Sequence, residues 1–151
     1  MTAAPRSGAA GSTSIRVRYA ETDQMGVAWH GGYFAWFEVG RTDYLRERGC
    51  TYRDLEAQGL RLPVIEARAE YRTPARYDDV LEIRTRLTEV RGARVSFAYE
   101  VRRGDGPHPI ATGFTCHAAL DAAGRPRRLP EELQRLLTND VEGQRSTEGL
   151  S

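Results

Sequence analysis

A chain of 151 residues fits one domain with room for a core, and its 40% hydrophobic content is slightly low for a soluble globular fold. The formal net charge is +1, from 22 basic residues, all of them Arg, against 21 acidic ones, so bulk charge predicts neither nucleic acid nor an anionic membrane as a partner. Two cysteines, Cys50 and Cys116, suggest neither a zinc site nor a disulfide framework and fit a reducing cytoplasm, and no apolar run nears the ~18 residues of a membrane span.

Residues 1–13, rich in Ala, Gly and Ser, read as a flexible leader without the apolar centre of a signal peptide. From Ser14 to Tyr19 the pattern alternates. Ile15, Val17 and Tyr19 share one face and Arg16 and Arg18 the other, which predicts a short strand with one wet face. Glu21 to Val27 reads as a loop.

From about Gly31 the period changes. Tyr33, Trp36, Phe37, Gly40 and Tyr44 recur at helical spacing, which predicts a long amphipathic helix with an aromatic stripe, ending near Gly49. Gly40 lies inside the stripe. A glycine there costs up to ~1 kcal/mol against Ala, so the reading is that it admits a strand at close range. Glu38 and Arg41 stand one turn apart, as a structural ion pair would. A short helix follows over Tyr52 to Gln58.

The rest is strand-rich. Leu62 to Thr73 places Ile65, Ala67, Ala69 and Tyr71 opposite Glu66, Arg68, Glu70 and Arg72. Val80 to Val90 and Arg94 to Arg102 alternate again, with a turn at Gly104–Pro107. Ile110 to Leu120 is the last strand, with Phe114 and Cys116 on its apolar face; His117 alternates with Cys116, so that a subunit interface is open to it, and is assigned no role. After the Asp121–Arg128 turn, Pro130 to Leu137 reads as a capping helix and 138–151 as a flexible tail. The domain is thus predicted over 14–137. The apolar face of such a meander must be covered, and the aromatic helix is the one candidate to do so. The predicted fold is α+β: an antiparallel sheet of about five strands wrapped around one long helix.

The stretch from Tyr19 to Tyr33, YAETDQMGVAWHGGY, followed by Trp36-Phe37-Glu38 and Arg41, resembles the signature of hotdog-fold acyl-CoA thioesterases. It is most similar to the 4-hydroxybenzoyl-CoA thioesterase and YbgC-like group. The run Tyr71 to Val80 resembles a second stretch of that group. The resemblance covers roughly Ile15 to Leu137.

The resemblance implies that Asp23 is the catalytic carboxylate, either general base on water or nucleophile. Read alone, Asp23 is a turn residue that bonds nearby backbone; the surrounding motif is what turns the reading to catalysis. The backbone N–H groups of His30 and Gly31 stand where the helix begins, which suits an oxyanion. The His30 imidazole is either a partner of substrate or water, or a group that packs on Trp29. Gly26, Gly31 and Gly32 suit a tight loop open to a ligand. Tyr19, Trp29 and Tyr33 are candidates for the acyl pocket, with Tyr33 also readable as core. By resemblance, Arg91, Arg94 and Arg128 fall near contacts to CoA phosphates; the alternative is a solvated Arg.

No metal-ligand spacing and no Gly-x-Ser-x-Gly elbow occurs. No metal or redox cofactor is expected; coenzyme A belongs to the substrate. The family pairs its sheets side by side, which implies a homodimer and, as a dimer of dimers, a homotetramer. The competing functions are a hotdog dehydratase or hydratase, whose motif is not found, and a non-catalytic acyl-CoA or acyl-carrier binding module.

Overall fold

The computed structural model describes residues 10–131 and 133–139. Five strands, β1 (Gly11–Arg16), β2 (Val64–Tyr71), β3 (Val80–Arg91), β4 (Arg94–Arg103) and β5 (Ala111–Ala118), form one antiparallel sheet in the order β1-β3-β4-β5-β2. Helix α1 (Tyr33–Glu47), entered through a 3-10 turn at His30–Gly32, lies against this sheet. Helix α2 (Tyr52–Ala57) follows, and a helical stretch over 133–139 closes the described chain.

The buried stripe of α1 consists of Tyr33, Trp36, Phe37, Gly40, Arg41, Tyr44 and Leu45, the spacing seen in the sequence. Gly40 does admit a strand. A Cβ there would stand 2.9 Å from Ile83 Cγ2 on β3 and still closer to Thr85 Oγ1. Gly49, at φ +78°, ends the helix, and the Thr51 side chain accepts from Asp54 N–H to start α2.

β1 begins at Gly11 and ends at Arg16, so it starts inside the stretch expected as leader and stops before Tyr19. Its first half has no apolar alternation to reveal it. Ladder bonds to β3 hold it, from Gly11↔Thr85 to Arg16↔Val80, with Ser12 Oγ donating to Glu82 and Thr13 Oγ1 to Asp43. Residues 1–9 and 140–151, which carry most of the expected leader and tail, lie outside the described residues.

The face of β5 also differs from expectation. Register with β4 pairs Phe97 with Thr115, Tyr99 with Gly113 and Val101 with Ala111, so small and polar residues face α1. Phe114 and Cys116 take the outer face, where the Arg68 guanidinium lies 4.5 Å from the Phe114 ring centre. The aromatic helix already fills the inner space, and bulk on β5 would collide with it.

His117 is therefore a core residue, 1% exposed, and not an interface residue. Its Nδ1 lies 3.1 Å from the Leu62 carbonyl, which can only accept, so Nδ1 carries the proton. Nε2 then accepts from Thr115 Oγ1 at 2.9 Å, and Thr115 accepts from the Tyr99 hydroxyl at 2.6 Å. Arg41 donates to Tyr99 and Tyr52, so it serves this buried chain rather than a surface pair with Glu38.

Burial pushes the His117 imidazole down to about 4, and Arg41 repels its charged form, against the opposing pull of the Leu62 carbonyl. An unfolded His titrates near 6.5, so as pH falls the unfolded chain takes up a proton that the folded chain refuses. Stability from this group is complete above about pH 6.5 and is lost toward pH 4, by about 3 kcal/mol in all. Urea midpoints measured from pH 7 to 4.5 are expected to fall steadily, and H117Q to show a flatter profile. Glu21, Asp79 and Glu82, all held below their ordinary values, act only at lower pH.

Candidate active site

After β1 the chain is pinned to β3 by Val17, whose N–H donates to the Asp79 carbonyl and whose carbonyl accepts from Asp78 N–H, both at 2.9 Å. A 3-10 turn at Tyr19–Glu21 follows. A small hairpin then closes across a Thr22↔Ala28 bridge. Within it, Asp23 N–H donates to the Val27 carbonyl and Gly26 N–H to the Asp23 carbonyl. Gly26 takes φ +78°, the left-handed conformation this turn requires.

The Asp23 carboxylate accepts from Met25 N–H through Oδ1 at 2.9 Å. This is the turn contact that the sequence allowed, and it leaves Oδ2 without a partner among the described residues. One oxygen fixes the rotamer while the other remains open for chemistry.

The outgoing arm is held on three sides. Val27 bridges Arg76, Ala28 N–H donates to the Ala75 carbonyl, and Trp29 N–H donates to the Glu21 carbonyl, the last two at 2.7 Å. The chain enters the His30–Gly32 turn directly, with Gly32 N–H donating to the Trp29 carbonyl. The N–H groups of His30 and Gly31 have no backbone acceptor among the described residues. Two open donors at the head of α1 thus stand a few residues from a turn-held carboxylate, and the Thr22↔Ala28 bridge draws the two segments together.

Two further residues, not singled out from the sequence as part of the site, hold it. Glu21 accepts from Arg18 N–H and from Trp36 Nε1, both at 2.8 Å, tying the loop to α1. Burial alone would raise its carboxyl; these hydrogen bonds outweigh that and hold it below the ordinary value. Tyr71, from β2, donates its hydroxyl to the His30 carbonyl at 2.7 Å. No local pattern marks the Glu21–Trp36 or the Tyr71–His30 contact, since each joins elements distant in sequence.

The other candidates divide. Trp29 is 53% exposed, with its ring lying where a Cβ on Gly31 would fall. The His30 ring stands between it and Tyr71, with centroids 5.3 Å and 6.4 Å away. Tyr33 is core: its ring packs on Trp36 and Tyr71, its hydroxyl bonds the Ala75 backbone, and burial pushes that hydroxyl up. Tyr19 is 79% exposed and meets Tyr77 edge-on.

Arg91 and Arg94 are not brought to Asp23 within the protomer. They flank the far turn of the β3–β4 hairpin, whereas the Asp23 loop docks beside the opposite end of β3. Twelve residues of strand separate the ends, roughly 35 Å at 3.3 Å per step. Arg128 follows Arg127, whose N–H donates to Ala119, and Ala119 N–H in turn donates to Ala93, so all three arginines gather at that far end.

An antiparallel sheet packed on one long helix, the architecture shared with solved thioesterase structures, makes this a hotdog domain of the thioester-hydrolase class. The chain belongs to the Thioesterase-like superfamily, whose family model matches residues 17–137. The chain is 38% identical over 93 residues to acyl-CoA thioesterase YbgC of Haemophilus influenzae (strain ATCC 51907 / DSM 11121 / KW20 / Rd), spanning 61% of this chain and 68% of that one. Among solved structures, it is similar to protein TT1821 from Thermus thermophilus (TM-score 0.80, 41% identity, 85% of this chain and 97% of that one). It is also similar to the DHNA-CoA thioesterase from Staphylococcus aureus (TM-score 0.76, 32% identity, 93% and 92%).

Proposed function

We propose that the protein hydrolyses acyl-CoA thioesters, with water and the thioester giving a carboxylic acid and the CoA thiol. The observation that carries this is the Asp23 carboxylate, locked by Met25 N–H with one oxygen open, in a hairpin whose outgoing arm runs into the open His30 and Gly31 amides. Asp23 activates the attack, as general base on water or as nucleophile through a mixed anhydride. The amides at the head of α1 hold the oxyanion, where the helix dipole adds to their effect. Trp29, over Gly31, forms part of the acyl wall. The reaction calls for water and substrate alone, without metal or redox cofactor.

We place the working enzyme in a homodimer joined along β2. This strand lies at a sheet edge, and α1 packs mainly on β1 and β3. Ala67, on the helix side opposite Thr115, is left exposed, and so is Ile65, at the register shift of β2, by 51%. Antiparallel pairing of two β2 edges would set the Tyr71 end of one protomer beside the Val64 end of its partner. The partner's Arg91, Arg94 and Arg128 end would then lie on the side of the Asp23 site, which is how arginines remote in one chain can serve CoA phosphates. I65R is expected to dissociate the dimer, at a cost of about 2–5 kcal/mol, and to lose turnover with Asp23 untouched. Sedimentation and thiol release on the same sample check this; an active dimeric I65R would remove β2 from the interface.

Among the described residues, no helix is long and apolar enough to cross a membrane. The two free, buried thiols, Cys50 and Cys116, suit the reducing cytoplasm we assign to it.

The deciding experiment is thiol release from acetyl-, hexanoyl-, palmitoyl-, benzoyl-, 4-hydroxybenzoyl- and phenylacetyl-CoA. Release that depends on Asp23 supports the reading, and the best substrate defines the acyl class. No release by the folded protein, together with tight acyl-CoA binding, would favour a binding module.

A further inference from the structure

The His30–Gly31 peptide is gripped from its carbonyl side by a residue that the proposed chemistry does not itself use. Tyr71 sits near the end of β2, opposite Ala111 in β5, and the next N–H, of Arg72, donates to the Ile110 carbonyl at 2.9 Å. Its ring is wedged edge-on against Tyr33, with centroids 4.9 Å apart, and against His30 at 6.4 Å. Although Tyr71 is 46% exposed, its hydroxyl donates to the His30 carbonyl at 2.7 Å. Burial pushes that hydroxyl above its ordinary value, so it stays a donor through neutral pH.

In a trans peptide the carbonyl and the following N–H point in opposite directions within one plane. Fixing the His30 carbonyl therefore fixes the direction of Gly31 N–H. A hydrogen bond accepted by the carbonyl also polarises the amide and strengthens its N–H as a donor. On the other side of Gly31 the Trp29 ring occupies the place a Cβ would take, so this peptide has little room to rotate.

We propose that Tyr71 is a positioning residue for thioester hydrolysis: it aims Gly31 N–H at the developing oxyanion by holding the His30 carbonyl. This rests on the thioesterase reading above. Tyr71 acts through the peptide and not on the substrate.

The test is Tyr71→Phe, which keeps the ring packing and removes only the hydroxyl. Loss of an oxyanion donor outright costs about 100- to 1,000-fold in kcat; loss of its alignment is expected to cost about tenfold, with KM and thermal midpoint near wild type. A trifluoromethyl ketone analogue of the best acyl-CoA, whose hydrate presents the tetrahedral oxygen, should weaken by the same factor. A thioether analogue lacking the carbonyl oxygen should bind as before. The Gly31 amide 15N resonance should move, since its peptide carbonyl has lost a donor. Wild-type kcat in Tyr71→Phe, or equal weakening of both analogues, would overturn the proposal. Should the wild type release no thiol from any acyl-CoA, the thioesterase reading fails by itself. The Gly31 resonance then decides the Tyr71 contact, and an unmoved signal sinks it.

Discussion

Asp23→Asn is expected to lower kcat on the best acyl-CoA by at least about a hundredfold, with KM and folding close to wild type, because a positioned general base contributes roughly that much. The substitution is nearly isosteric. The Asn side-chain carbonyl can accept from Met25 N–H as Oδ1 of Asp23 does, so the turn that carries it should survive. What disappears is the basic, negatively charged second oxygen. Both roles for Asp23, base and nucleophile, depend on that oxygen, so the expected loss falls on kcat and kcat/KM alike. Thiol release by wild type and variant, with circular dichroism on both, checks the result. A folded Asp23→Asn enzyme with wild-type turnover would remove Asp23 from the chemistry and leave it a turn residue.

The second large effect is structural. Gly113→Ala is expected to destabilise the domain by about 3 kcal/mol, at the upper end of the usual cost of overpacking a core. A Cβ at Gly113 would fall inside the Phe37 ring contact. The ring cannot step aside easily. It is stacked on Tyr99, with centroids 4.5 Å apart and planes within 13°, and meets Phe34 edge-on. The backbone of Gly113 is not in the left-handed region, so the cost is one of packing and not of φ. That makes it reparable. Phe37→Leu shortens the intruding group, and the double variant should recover part of the loss, which a double-mutant cycle in urea would measure. Strict additivity of the two costs would mean that they do not meet.

These two residues mark what can be read from a chain and what cannot. The long helix, its aromatic stripe and the close approach at Gly40 follow from 3.6-residue periodicity, which is local. The turn chemistry around Asp23 and Gly26 is local too, and the motif from Tyr19 to Tyr33 identifies the family before any strand is paired. The β5 face was misread because alternation shows that two faces exist but not which one meets the helix. Phe114 and Cys116 are the more apolar pair, yet Phe37 leaves room only for Gly113 on the inner side. The early start of β1 went unseen because Gly11, Ser12 and Thr13 carry no hydrophobic pattern; ladder bonds to β3 form that strand.

The site shows the same division. Composition and motif sufficed for the class of protein and put forward the catalytic candidates, because both depend on residue type and short spacing. The union of Tyr71 with His30, of Glu21 with Trp36, and of His117 with Leu62 spans 41, 15 and 55 residues. Only folding brings such groups within hydrogen-bond reach. Folding likewise sets Arg91 and Arg94 at the far end of β3 from Asp23, because a twelve-residue extended strand is long and stiff. Sequence by itself determined the family and most of the elements; the tertiary structure decided which face, which end and which partner each one meets, because sheet register and side-chain volume act between segments that the chain order keeps apart.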